Sequence, residues 1–483
     1  MTKKTKIVAT VGPASQSIET LMALMEAGVN VFRLNFSHGT YAYHEQVLAN
    51  IRQASHQTGH VVGVLQDISG PKIRIGELQS PFELEVNDTI TFCATPMVGK
   101  HVSPHCYETS INYPTILPQL ALGDYVYLYD GVIRTKVIAC AEDRVSVLVE
   151  NEGILSSKKG VNFPSTHLEF DILTPKDRDD IAWGVKNGVD YMAISFVQNA
   201  QDMVNAREII NALGGKTMLI AKIEKFDAVE NIDEILEASD GLMVARGDLG
   251  IEVPYYEVPT IQKRLIQKAN AQGKPVITAT QMLLSMTHSP RATRAEISDI
   301  ANAVLDGTDA VMLSEESAMG DYPLLSVQTM TQTILEAEKH YPYYQFPPIS
   351  HQDVTDAIDA SAVRLGKEVE VAGIISLTSS GNSARKLSKY RPNIPIFAIT
   401  HEETIRRQLT LSWGIEPLAS FPKEPLEPLI HTIIQRGVME ESFHLDQRYV
   451  LTAGHRTGVS GSINTIKLLG SDEMTAFNAP YHL

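Results

Sequence analysis

The sequence predicts an α/β fold: a (β/α)8 TIM barrel, a small β-barrel domain inserted into it, and a C-terminal α/β domain behind it. Three observations lead there. Short apolar, β-branched runs alternate with longer helical patterns, the signature of βα units on a parallel sheet. Eight such runs occur before residue 320. The alternation breaks between the third and fourth runs, where short strands and tight turns take over. An open doubly wound sheet also accommodates eight runs, and strand counting alone leaves the two architectures close.

The runs are KIVATV from residue 6, VNVFRLNF from 29, VVGVLQD from 61, VDYMAISF from 189, TMLIAKIE from 217, DGLMVA from 240, KPVITAT from 274 and TDAVMLS from 308. Amphipathic segments follow nearly all of them. One helix start is well marked: Thr174 as N-cap and Pro175 in the first turn precede a helix over Lys176 to Lys186. The break carries the turn signals Val86-Asn87-Asp88, Leu122-Gly123-Asp124-Tyr125 and Tyr129-Asp130-Gly131, which predict a small all-β domain. An insertion in this loop projects from the C-terminal face of a barrel, where active sites lie, and is placed to act as a lid. Prolines at 342, 347 and 348 mark a linker. Beyond it GIISLT (373–378), IPIFAIT (394–400) and RYVLTAG (448–454) read as strands of a smaller α/β unit. The expected domains are the barrel at 1–68 and 164–342, the insert at 69–163, and the C-terminal domain at 352–483.

With 483 residues, about three domains at roughly 150 residues each are expected. The net charge of -16 argues against a nucleic-acid partner, since phosphate backbones attract basic faces. No apolar run approaches the ~20 residues that span a bilayer, so no membrane partner is expected. The first residues, MTKKTKIVATVG, lack the apolar core of a signal peptide. Cys93, Cys106 and Cys140 form neither a C-x-x-C pair nor an even framework, which fits a reducing cytoplasm. His101, His105, Cys106 and Cys93 match no common zinc spacing and read as incidental.

Candidate chemistry gathers at strand ends. Alternate residues of a strand share a face, so Arg33 and Asn35 point together into a barrel mouth, with Ser37 and His38 just beyond. A buried Arg calls for an anion. That anion is either a ligand or a carboxylate such as Asp67, and the residues alone weigh these evenly. Lys222 and Glu224 share a face at the end of the fifth run, and Arg246-Gly247-Asp248-Leu249-Gly250 follows the sixth. Two carboxylates at strand ends suit Mg²⁺, which keeps several waters or phosphate oxygens in its shell. A neighbouring Lys supplies fixed positive charge, and phosphoryl transfer depends mainly on positioning and charge neutralisation. A surface ion pair is the plainer reading for any one of these residues, but a weak one for the set. Gly247 and Gly250 read as points of close backbone approach or positive φ. Thr280 ends the seventh run, where relaying a proton or binding a carboxylate competes with simple capping, and Ser314-Glu315-Glu316 ends the eighth, where capping is again the plainer reading. In the C-terminal domain, Thr378-Ser379-Ser380-Gly381-Asn382-Ser383 joins a strand to a helix carrying Arg385 and Lys386, a place where a phosphate can bind. The loop Ala453-Gly454-His455-Arg456-Thr457-Gly458 is positioned to close over it. From spacing alone, ordinary turn chemistry is the stronger reading of both loops.

Taken together, the strings resemble the pyruvate kinase family: RLNFSHG at 33–39, GPKIR at 70–74, KKGVNFP at 158–164, KIEK at 222–225, MVARGDLG at 243–250, TATQM at 278–282, PRATRAEISDIANAVLDGTDAVMLSEES at 290–317 and GDYP at 320–323. They follow the family's order over essentially the whole chain. The resemblance implies phosphoryl transfer from phosphoenolpyruvate to ADP, giving pyruvate and ATP, with Mg²⁺ or Mn²⁺. It implies that Arg33, Gly247, Asp248 and Thr280 hold the substrate, that Glu224 and Asp248 bind the metal, and that Lys222 stabilises the phosphoryl group in flight. Arg74, His38 and Lys159 would contact the nucleotide, Lys159 from the lid. It further implies a homotetramer and a regulatory C-terminal domain, whose loop Thr378 to Ser383 would take an effector phosphate, a sugar phosphate or a nucleotide monophosphate.

Two departures stand out. Asn35, Ser37, Asp67 and the carbonyl of Ile68 resemble the family's potassium pocket, yet Lys72 stands where potassium-requiring members carry Glu. This places the chain with the Lys-bearing members, which generally do not need K⁺, the ammonium replacing the ion. Glu315 stands where many members have Gly. Two rivals remain. A Mg²⁺ lyase of the aldolase type would lack ADP dependence, and a catalytically silent sensor would more readily have lost Lys222, Glu224 or Asp248.

Overall fold

The computed structural model describes residues 3–164, 166–349, 353–418, 420–454 and 463–479. Eight parallel strands close into a barrel: β1 (Lys6–Thr10), β2 (Val31–Asn35), β3 (Gly63–Asp67), β4 (Tyr191–Ile194), β5 (Met218–Ile223), β6 (Gly241–Ala245), β7 (Val276–Ala279) and β8 (Ala310–Leu313). Each pairs with its neighbours in chain order, and β1 closes the ring on β8 with Lys6 opposite Ala310. Closure excludes the open doubly wound alternative.

The strands are buried on both faces, which is why they read as continuous apolar runs. Inside the ring, Val8, Val31, Leu65, Ile220, Met243, Ile277 and Met312 fill the barrel. Outside it, the apolar stripes of the helices pack on residues such as Ile7, Phe32, Val64 and Leu219. The marked helix runs Pro175–Asn187. The Thr174 hydroxyl accepts from the Asp177 N–H, and the Asp177 carboxylate accepts from the Thr174 N–H, a reciprocal cap.

The insert is all-β and has a core of its own, with Phe82, Ile90, Phe92, Val126, Val147 and Phe163 at its centre. It is a seven-stranded sheet plus a separate pair, Phe82–Leu84 with Gly153–Leu155, wrapped on that core. The expected turns form: Asn87 and the run Tyr129, Asp130, Gly131 all take the left-handed backbone.

The C-terminal domain carries a five-stranded sheet ordered 415–417, 396–399, 373–377, 449–454, 463–469, parallel except for its last strand. Strands Ile415–Pro417 and Ile463–Leu469 were not marked by the sequence: the first is only three residues long, and the second exposes Asn464, Lys467 and Leu468 and shows no clean alternation. This domain seals the bottom of the barrel. Leu411 is buried among the barrel-interior side chains, and the Tyr191 hydroxyl donates to the Arg407 carbonyl at 3.1 Å.

Candidate active site

At the C-terminal ends of the strands a single ammonium organises the barrel mouth. Lys222, near the end of β5, lies 2.8 Å from Glu224 Oε1, 3.1 Å from Asp67 Oδ1 and 2.7 Å from Ser195 Oγ. Strand alternation turns Lys222 and Glu224 to the same face, and adjacency in the ring brings the ends of β3 and β4 alongside. Burial alone would lower the Lys222 pKa, but the Asp67 and Glu224 carboxylates outweigh it and hold the ammonium charged. Burial is also the largest influence on Asp67, pushing its carboxyl up. Lys222 and Arg33 overcome it and leave the pKa below the ordinary value.

Arg33 donates to Asp67 at 2.7 Å and to Thr10 Oγ1 at 2.9 Å. The carboxylate partner anticipated for Arg33 is therefore present. The guanidinium keeps Nη2 free of protein acceptors among the described residues, so a bond to a further anion costs neither of the existing ones. Ser195 and Thr10 were not singled out in the sequence, although Ser195 ends the fourth apolar run and strand-end position was the available signal.

Glu224 Oε2 accepts from the Phe196 N–H at 2.9 Å. Burial pushes its carboxyl up to about 7, with Lys222 opposing and Asp248 adding to the rise. A buried carboxylate with a second carboxylate near enough to act on it forms a donor set suited to a hard divalent cation. Among the described residues, no group of three or more His, Cys, Asp or Glu side chains could hold a metal. A two-carboxylate Mg²⁺ site, completed by water and phosphate oxygens, does not need one. In the insert, His105 pairs with Asp88 at 2.7 Å.

Backbone strain sits at Thr280. This β-branched residue has φ 71° and Gln281 has φ 59°, in a region that L side chains avoid. Its hydroxyl accepts from the Gly247 N–H at 2.8 Å, tying the end of β7 to the turn after β6. Arg246 holds the strained turn in place. It grips Asp299 with both terminal nitrogens, at 2.6 and 2.7 Å, and donates to the Thr280 carbonyl at 2.7 Å. Of the two readings of Gly247 and Gly250, close approach or positive φ, the second does not hold: both lie in the helix Arg246–Glu252, Gly247 close against Thr280, and the left-handed conformations fall on Thr280 and Gln281. Glu316 is buried and accepts from the Leu283 and Ser314 N–H groups, so it ties loops together, while Glu315 is exposed.

The insert faces this mouth across a cleft lined by Lys72, Asp130, Asn162, Lys225, Asp248 and Glu252 among others. Asn162 donates to Glu252 across it at 3.2 Å. Lys159 rests 3.9 Å from the Tyr129 ring centroid, and Arg74 donates to the Lys158 carbonyl at 2.9 Å. His38 is exposed. The structure thus gathers Arg33, Asp67, Lys222 and Glu224 through direct contacts, with Asp248 close enough to act on Glu224. Arg74, Lys159 and His38 make no direct contact with that cluster among the described residues. In the suggested monovalent pocket, Asn35 Oδ1 accepts from the Ser37 N–H at 3.1 Å and the Ile68 carbonyl accepts from Ser195 at 2.6 Å. Lys72 Nζ pairs with Asp130 at 3.8 Å.

In the C-terminal domain, Gly381 takes φ 80° as the N-cap of the helix Asn382–Lys389. Ser379 and Ser380 are half-buried and Asn382 is exposed, whereas Thr378 is buried and Ser383 turns inward to donate to Asp359 at 3.0 Å. Residues 455–458 of the second loop lie outside the described residues.

Known proteins match this arrangement throughout. Residues 2–327 match the family described as "Pyruvate kinase, barrel domain" and 356–469 match "Pyruvate kinase, alpha/beta domain". The chain is 43% identical to pyruvate kinase of Geobacillus stearothermophilus over 480 residues, covering 97% of this chain and 80% of that one. It is 39% identical to pyruvate kinase of Clostridium acetobutylicum, covering 96% and 99%. A crystal structure of a pyruvate kinase from Cryptosporidium parvum superposes with a TM-score of 0.90 at 34% identity, covering 97% of this chain and 96% of that one. A closed barrel with its charged mouth, two family domains and relatives of this identity along nearly the whole chain lead to one conclusion: the chain belongs to the pyruvate kinase family and is a phosphotransferase.

Proposed function

We propose that this chain transfers the phosphoryl group of phosphoenolpyruvate to ADP, with Lys222 as the cation that meets the phosphoryl in flight. The observation that carries this reading is the buried Lys222 ammonium, held between Asp67, Glu224 and Ser195 beside Arg33. A charge already fixed and desolvated stabilises developing negative charge without reorganising. Arg33 and the Gly247–Asp248 turn orient the substrate's anionic groups. Thr280, its hydroxyl pinned by the Gly247 N–H, would serve the proton path to the enolate carbon once the phosphoryl has left. Glu224 and Asp248 fit Mg²⁺ or Mn²⁺, which when bound neutralises phosphate charge. Arg74, Lys159 and His38 suit the nucleotide phosphates. The insert, closing over the mouth, would shut out water that competes for the phosphoryl. A coupled assay with phosphoenolpyruvate, ADP and Mg²⁺ is expected to show pyruvate formation that stops when ADP is omitted. Pyruvate release without ADP would favour a lyase.

We infer that K⁺ is not required. The support is Lys72: its ammonium lines the cleft that Asp248 also lines, and supplies positive charge there without an ion. Rates in Na⁺, in K⁺ and in a bulky organic cation should agree within about twofold, and strong activation by K⁺ would refute this.

The C-terminal loop is assigned a phosphorylated activator, a sugar or nucleotide monophosphate. The support is the left-handed Gly381 opening the helix, with Ser379, Ser380 and Asn382 outermost. The double substitution Ser379→Ala/Ser380→Ala should abolish activation by glucose 6-phosphate and by AMP and spare the basal rate. Unchanged activation by both would refute the siting. The exposed Tyr255 and Tyr256 on the barrel support assembly, which we take to be a homotetramer acting in the cytoplasm.

A further inference from the structure

The short helix Arg246–Glu252 carries Asp248 in its first turn and is fastened at both ends. At its start, Arg246 grips Asp299 and the Gly247 N–H donates to the Thr280 hydroxyl. Its last residue, Glu252, takes no part in the chemistry proposed above. Yet Glu252 is a carboxylate only 4% exposed, and burying such a charge is costly unless something answers it.

Two segments answer it. Lys225, also buried, brings its ammonium 3.5 Å from Glu252 Oε2, and Asn162 of the insert donates to Oε1 at 3.2 Å. Oε2 accepts no hydrogen bond among the described residues, so the Lys225 charge is what holds it. The insert touches this end of the helix at a second point. Gly131 takes φ 86°, and a Cβ placed there would stand 3.4 Å from the Ile251 side chain. The insert's turn therefore lies against Ile251 while Asn162 holds Glu252.

The partners of Glu252 are joined to both carboxylates of the candidate metal site. Lys225 directly follows Glu224. Asp248 and Glu252 stand at i and i+4 of one helix, a spacing that puts side chains on the same face. One carboxylate thus links the strand end that presents Glu224, the helix that presents Asp248, and the insert. A helix this short has few internal hydrogen bonds to fix it, so what grips its ends sets its direction.

We propose that Glu252 is a positioning residue that sets the spacing of Glu224 and Asp248 for a divalent cation and makes that spacing depend on the seating of the insert. This rests on the reading of Glu224 and Asp248 as the metal-binding pair. Glu252 acts through Lys225 and through its own helix rather than by touching the cation. Lifting the insert breaks the Asn162 bond and the Ile251 contact together and frees the helix end, so the two carboxylates come into register when the insert is seated.

The test measures Mn²⁺ binding to the full chain without substrates, from the electron paramagnetic resonance signal of the free ion, and so does not depend on turnover. Glu252→Ala should raise the Kd for Mn²⁺ by about 10-fold or more, the usual cost of removing a group that orients a metal ligand. Glu252→Gln keeps an acceptor for Asn162 and should recover part of this loss. Asn162→Ala removes a single bond from the insert and should raise the Kd several-fold, which keeps the proposal refutable if Glu252→Ala folds poorly. A Kd within about twofold of the unaltered chain in folded Glu252→Ala, or in Asn162→Ala, overturns the proposal even if the unfolding temperature drops, because Glu252 would then be structural only. Asp248→Asn separates this failure from failure of the underlying reading. If Asp248→Asn binds Mn²⁺ as the unaltered chain does, the metal pair is wrongly assigned and the proposal falls with it. If Asp248→Asn loses the ion while Glu252→Ala keeps it, the positioning role alone falls.

Discussion

Replacing Lys222 with Met is expected to lower kcat by about 10³-fold or more. A single preorganised donor to a developing oxyanion is worth about 10²–10³, and a cation placed on a transferring phosphoryl about 10³–10⁵. In the proposed function, Lys222 would supply the second kind of interaction. It is buried, contacts three groups that hold it in one position, and needs no movement to act. Its pKa is raised above that of an ordinary lysine. The stabilisation it gains from charge is thus fully present at neutral pH and is lost only as pH rises through that raised value. Loss of activity between pH 6 and pH 9 would therefore have another source. Met keeps the length of the side chain but leaves Asp67 and Glu224 facing one another without their shared counter-charge, so the variant should also unfold at lower temperature. The two effects separate kinetically. Loss of phosphoryl stabilisation falls on kcat at saturating substrate, whereas disorder of the site would raise KM as well. A folded Lys222→Met enzyme retaining more than about a tenth of the activity would contradict the assignment.

The second large effect is expected at Arg391, on the opposite side of the barrel. Its guanidinium, 2% exposed, makes two 3.1 Å bonds to Asp309, donates to the Gly307 carbonyl at 2.8 Å and stacks 5.0 Å from the Trp413 ring. Asp309 in turn accepts from the Trp413 and Val276 N–H groups. Removing the cation strands a buried carboxylate, so Arg391→Met should destabilise the chain by about 3–5 kcal/mol. Adding Asp309→Asn should restore part of that, because an amide can still accept and carries no charge. A denaturant midpoint for Arg391→Met equal to that of the unaltered chain would show that the domain contact does not depend on this pair. The double variant also distinguishes charge from packing: if the loss is mainly the Trp413 stacking contact, Asp309→Asn recovers nothing.

Much of this was legible before any coordinates. Strand runs, their order and the break at the insert are local properties, written in β-branched composition and turn residues such as Asn87 and Gly131. The faces of Arg33, Lys222 and Glu224 follow from alternation along a strand, which depends only on sequence spacing. The helix start at Thr174 follows from cap chemistry within four residues. Family strings supplied the expected roles.

What only the tertiary structure decided are matters of closure and convergence. Strand counting could not choose between an open sheet and a ring, because the choice rests on one long-range pairing, β1 on β8, between residues some 300 apart in the chain. Nor could it assign the left-handed backbone to Thr280 rather than Gly247. That strain is tolerated because Arg246 and Asp299 grip the turn from another element. The inward turn of Ser383 toward Asp359, the Ser195 contact to Lys222 and the plug of Leu411 in the barrel floor likewise join segments remote in sequence. Local composition sets which elements form and which way their side chains point. Which charges meet is set by long-range packing, where burial makes each unpaired group costly enough to select its partner.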